Sequence, residues 1–196
     1  MMTKPKIDGF VEITDIDTGE IILNKKNAVH MENMSHAIAQ CLSHTGHGHV
    51  HKMYFGNGAS TVTGTGMITY FPPNVTGPDA SLYNVTYSNK IVDQHSSNNP
   101  SPEKNFIDVN HIDNQTYTDL IVNCVLDYSE PNNQDAFDDA TDSNGLYVFD
   151  ELGLVSYPLN GQGEGLLLTH CIFSPIQKSL NRSLKIKYTL RIYMSE

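Results

Sequence analysis

The last apolar run of the chain limits the fold most. From Leu184 to Tyr193 the residue types alternate strictly: Leu184, Ile186, Tyr188, Leu190 and Ile192 against Lys185, Lys187, Thr189, Arg191 and Tyr193. Successive side chains of an extended strand point to opposite faces, so a period of two predicts a strand buried on one side and wet on the other. Such a strand needs neighbours in a sheet and a second apolar layer to cover it. The chain opens the same way, with Val11 and Ile13 set against Phe10, Glu12 and Thr14. Turn chemistry over Asp15–Gly19 and an apolar return over Ile21–Leu23 predict an opening hairpin.

Further strands are predicted over His49–Phe55, Met67–Phe71, Leu82–Tyr87, Lys90–Val92, Phe106–Val109, Tyr117–Tyr128, Leu146–Leu154, Val155–Leu159 and Gly165–Pro175. Within Tyr117–Tyr128 the run Leu120, Ile121, Val122, Cys124, Val125, Leu126 is nearly continuous, the mark of a strand covered on both faces. One segment has a helical period: Met31, Met34, Ile38, Cys41 and Leu42 recur at three- and four-residue steps, with Asn27 as the expected N-cap and an end near Ser43. His30 and His36 fall off that stripe and are expected at the surface. The expectation is one mainly β domain over residues 1–196, β-sandwich-like or α+β, with one N-terminal amphipathic helix and long surface loops over 74–102 and 129–145.

Composition supports a sheet. Hydrophobic residues make up 39% and charged residues only 17%, so Asn, Thr, Ser, Gly and His fill the balance, as suits turns and strands better than exposed helices. The formal net charge is −10, and nothing basic lies between Lys104 and Lys178, which argues against a phosphate-binding surface and so against specific nucleic-acid binding. No apolar run approaches the ~20 residues that span a bilayer. The opening MMTKPKIDGF has no apolar stretch, so no secretory leader is expected, and five Asn-x-Ser/Thr sequons then read as chance. Cys41, Cys124 and Cys171 are odd in number and widely spaced, which predicts buried free thiols in a reducing compartment.

Four patterns invite a chemical reading. In His44-Thr45-Gly46-His47-Gly48-His49-Val50-His51, an extended backbone would put His47, His49 and His51 on one face, and imidazole binds zinc, nickel and iron. These three are the candidate metal ligands. The same spacing also suits a polar loop entering a strand, and no His-Glu-x-x-His pattern accompanies it. Ala140–Glu151 places Asp142, Asn144, Gly145 and Glu151 as in a calcium loop, but Ala140 stands where the first carboxylate belongs. Gly161-x-Gly-x-Gly is followed by a Leu-rich run and no helix, so it reads as a hairpin turn rather than a phosphate cradle. No Gly-x-Ser-x-Gly elbow appears, and no cofactor fingerprint. The expectation is a chain that is not an enzyme and needs no cofactor.

The blocks Gly9–Asp15, Thr18–Glu20, Lys26–Ser35, Met53–Gly58, Leu82–Tyr87, Phe149–Leu154, Leu168–His170 and Ser174–Arg182 together resemble a family of tailed-bacteriophage virion structural proteins. That resemblance implies a component built into the particle in the host cytoplasm, as a neck or collar ring at the head–tail junction. Its partners would be copies of itself and portal, connector or tail proteins. Capsid decoration or a baseplate adhesin is the alternative place, and a metal-dependent hydrolase using the histidines a further one. Subunit contacts are expected through Tyr83, Tyr87, Phe149, Leu154, Gln177 and Arg182, since aromatic and Arg side chains favour interface centres. The competing use of Tyr83, Tyr87 and Phe149 is to fill the chain's own core.

Overall fold

The computed structural model describes residues 5–77, 79–98, 104–131 and 146–194. Eleven strands follow in chain order: β1 (Lys6–Asp15), β2 (Ile21–Val29), β3 (Val50–Gly56), β4 (Ser60–Val62), β5 (Ile68–Tyr70), β6 (Val85–Ile91), β7 (Phe106–His111), β8 (Tyr117–Leu126), β9 (Leu146–Ser156), β10 (Thr169–Ser179) and β11 (Leu184–Tyr193). One helix, α1 (Met31–Leu42), joins β2 to β3. The fold is mostly β, 52% strand and 9% helix, as the alternation predicts.

Nine strands form one sheet in the order β6–β3–β9–β10–β2–β1–β11–β8–β7, while β4 and β5 make a separate hairpin. Every strand pairing is antiparallel. The sheet is weakest between β10 and β2, which pair only through Thr169↔Val29 and His170↔Ala28. It therefore curls into two leaves, β6–β3–β9–β10 and β2–β1–β11–β8–β7. A parallel bridge between His95, just past β6, and Ile107 in β7 links the far edges of the leaves.

The core lies between the inner faces. Met53, Phe55, Phe149, Leu152, Leu154 and Phe173 from the first leaf meet Val11, Ile13, Val122, Cys124, Ile186 and Tyr188 from the second. Leu184, Ile186, Tyr188 and Leu190, the apolar phase of the last strand, are each at most 2% exposed. Burying a side chain of this size contributes about 1.5–3 kcal/mol, and a large-to-Ala change here costs about 2–5 kcal/mol.

Several expectations need correction. Asn27 lies in β2, opposite Gly9 of β1, and its amide donates to the Tyr188 hydroxyl. The N-cap is His30, whose Nδ1 accepts from Asn33 N at 3.2 Å, so His30 is a buried structural residue and not a surface one. Of the predicted stripe only Met34 is buried, joined by Ala37 outside it, while Met31 is 51% and Leu42 82% exposed. The two short strands predicted at Leu82–Tyr87 and Lys90–Val92 are one strand, β6, and Leu146–Ser156 is one strand where two were predicted. Residues 132–145, most of the second expected loop and the first part of the calcium-like pattern, lie outside the described residues.

Candidate metal centre and assembly surfaces

The histidine run does not continue as one strand. Gly48 has φ +79°, and a Cβ there would lie 2.7 Å from the Ala37 carbonyl, so the glycine lets the chain press against α1 before β3 begins at Val50. His47, His49 and His51 instead gather round one ring, Tyr157, which follows β9. His47 and His49 stack on it with centroids at 5.8 and 5.1 Å, and His51 meets it edge-on at 5.0 Å.

Asp93 completes the group. Pairing of β3 with β6, extended by the Val92 N–H donating to the His51 carbonyl, sets Asp93 beside His51, with Nδ1 and Oδ2 2.5 Å apart. One ligand atom each from His49, His51 and Asp93 lies within 4.8 Å of the other two. Burial pushes the His49 imidazole toward its neutral, metal-ready form; the Asp93 charge opposes that and the neighbouring histidines reinforce it. Among the described residues His47 is not in the ligand group, and its buried Nδ1 meets no hydrogen-bond partner. Asp93 and Tyr157 were invisible to spacing rules because the sheet, not the local sequence, brings them in. His49 and Asp93 also line an apolar cleft of about 460 Å³ between α1 and the sheet, walled by Met34, Ile38, Ile107 and Leu190.

Glu151 has no part in a calcium loop. It is fully buried in β9, where Oε1 accepts from Gly58 N at 3.1 Å and Asn84 N at 2.9 Å. Its Oε2 accepts from Tyr83 N and from His170 Nε2, both at 2.9 Å. His170 Nδ1 accepts in turn from Asn74 N at 2.9 Å, so the geometry assigns the imidazole proton to Nε2. Burial would raise the Glu151 carboxyl, but the bonds from His170, Asn84, Tyr83 and Gly58 outweigh it and hold the group below its usual range. Next to it, Asp150 accepts from Ala59 N at 3.1 Å and Ser60 Oγ at 2.5 Å.

These bonds anchor a hairpin arm. Beyond Ser60, the β4–β5 hairpin and its turn expose Val62 (70%), Met67 (64%), Ile68 (44%) and Tyr70 (43%), followed by Phe71. Of the residues expected at subunit contacts, Tyr87, Phe149 and Leu154 are buried in the chain's own core. Tyr83 and Gln177 are exposed. Arg182 is half-buried and engaged internally, its Nε 2.5 Å from Asp15 Oδ2 and its Nη1 2.9 Å from the Gln177 carbonyl. The basic ends of the sequence meet on the second leaf and are partly neutralised there: Lys6 and Lys26 pair with Asp8 at 2.7 and 2.6 Å, and Arg191 pairs with Asp119 at 2.7 Å. Cys124 and Cys171 are buried free thiols as predicted, but Cys41 is exposed.

Fold and sites together define a two-leaf antiparallel β protein with a helix at one end, a projecting apolar hairpin and a His–His–Asp cluster. Comparison with protein-family models, with curated proteins and with solved structures finds no match to this chain.

Proposed function

We propose that this chain is a structural subunit of a tailed-phage particle, assembled as a ring at the neck or collar, and that it works through contacts with its own copies and with portal, connector or tail proteins. The sequence resemblance supplies the setting. The observation that carries the assembly role is the β4–β5 hairpin. A two-stranded ribbon is marginal alone, and one presenting Val62, Met67, Ile68 and Tyr70 to water gains stability when another surface covers it. The outer edge of β6, and that of β7 past the Ile107 bridge and Asp108, offer further places for a neighbour. A heterologous contact, arm to a different patch on the next copy, closes into a ring when the rotation fits.

Mass measurement in solution tests this. The expected result is a ring of many copies that Met67→Asp/Ile68→Asp reduces to monomers with unchanged strand content. A monomer at high concentration that is indifferent to the double substitution overturns the assembly role. A discrete trimer favours a decoration or adhesin module instead.

A further inference from the structure

We propose that His49, His51 and Asp93 bind one divalent transition-metal ion of the zinc class, and that this ion pins the start of β3 to the segment leaving β6. The inference is independent of where the protein is used. Three ligand atoms mutually within 4.8 Å leave some point within about 2.8 Å of all of them. Zinc bonds to imidazole nitrogen and carboxylate oxygen are about 2.0–2.2 Å, so small side-chain rotations close the remainder. Two imidazoles with one carboxylate select zinc, cobalt, nickel or ferrous iron, whereas calcium and magnesium take oxygen ligands.

The surroundings are those of a held site, not of loose surface histidines. His51 sits on β3 and faces Asp93 across the β3–β6 pairing. Stacking on Tyr157 restrains the His49 ring, and Gly48 sets the backbone that delivers it. The ion takes the place of the His51 Nδ1–Asp93 Oδ2 hydrogen bond, and three protein ligands leave a coordination position for water. The pinned segment continues through Gln94 and His95 to the bridge with Ile107, so the ion ties down the seam where the two leaves meet.

The probe is zinc added to the metal-stripped full chain, followed by calorimetry and thermal unfolding. Expected are one ion per chain and a melting temperature raised by roughly 5–10 °C at a hundredfold excess over the dissociation constant, reversed by a chelator. Asp93→Asn and His49→Ala each weaken binding at least tenfold, while His44→Ala and His111→Ala leave it unchanged. Nitrogen NMR of the wild-type imidazoles supplies a reading that needs no variant: zinc moves His49 and His51 and spares His36 and His44. Substoichiometric binding, an unmoved melting temperature, or shifts spread over all histidines overturns the proposal.

Discussion

Glu151→Gln isolates the buried clamp on β9, because it keeps the shape and removes the charge. The native carboxylate serves four donors: Gly58 N and Asn84 N on Oε1, Tyr83 N and His170 Nε2 on Oε2. An amide has one acceptor oxygen. Whichever way it turns, its NH₂ faces two of the four donors, and those two lose their acceptor. A flip of the His170 tautomer rescues one of them only by taking the acceptor from Asn74 N. Each buried unsatisfied donor costs about 1–3 kcal/mol, so two of them bring the expected loss to about 3 kcal/mol. That is a large share of the ~5–15 kcal/mol a domain has, and corresponds to roughly 6–12 °C in melting temperature.

Urea unfolding at neutral pH, followed by far-ultraviolet circular dichroism, measures it; an unchanged slope against urea assigns the loss to the native state. The difference between wild type and variant also depends on pH in a fixed sense. The folded carboxyl titrates below its usual 4.5, so its contribution is complete above that value and disappears as pH falls through the folded pKa. A Glu151→Gln protein within about 0.5 kcal/mol of wild type at neutral pH, or a gap that widens in acid, refutes the reasoning.

Lys178 gives a titration of the same sign in an alkaline window, because here too the folded state holds the proton more weakly than the unfolded one. Its ammonium is fully buried, donating to the Asp127 and Ser179 carbonyls, and burial pushes it down to about 8 from the usual 10.5. The folded chain therefore releases this proton first, and stability from this group rises with pH: between pH 8 and 9, wild type should gain about 1 kcal/mol relative to Lys178→Met in parallel urea titrations. Gly56→Ala places a Cβ 2.4 Å from the Asn84 carbonyl and 2.5 Å from Glu151 Oε1, and is expected to cost about 1–3 kcal/mol in the same assay. Burial pushes the Cys124 thiol up to about 12 and that of Cys171 up to about 11, so a thiol reagent at neutral pH should titrate only Cys41 in the native chain and all three on unfolding.

The strands were legible where a pattern is local. The phase of β11 and the inward choice of Val11 and Ile13 follow from alternation, and the doubly covered reading of β8 holds for its second half, from Val122 to Leu126. Boundaries failed where tertiary pairing overrides composition. Asn27 looks like a cap, but pairing with β1 carries β2 past it, and the helix takes His30 instead. The β4 strand was missed because Ser60–Val62 is three residues long and held by its partner, not by its own pattern. Tyr87, Phe149 and Leu154 illustrate a deeper limit. Aromatic and large apolar residues suit an interface and a core equally well, and only the packing of the two leaves decides. The histidine cluster was half legible: His49 and His51 could be named, but Asp93 is 42 residues from His51 and arrives only through sheet register.

The placement of Asp150 and Glu151 side by side on β9 accounts for how an exposed arm can still be directional. Asp150 holds the first strand of the hairpin at Ala59 and Ser60, although burial pushes its own carboxyl upward against those bonds. Glu151 holds Tyr83 and Asn84, and through His170 it also fixes Asn74. Both ends of the projecting segment are thus tied to one central strand, while its tip stays uncovered. A tip on a fixed base loses less freedom on docking than a free loop does, so more of the apolar burial appears as affinity. Ionised carboxylates are costly to bury, and two in succession on one strand are most easily understood if that orientation is what they maintain. Loss of the Glu151 bonds should therefore weaken association more than it unfolds the sheet, which separates an assembly role for the arm from a merely structural one.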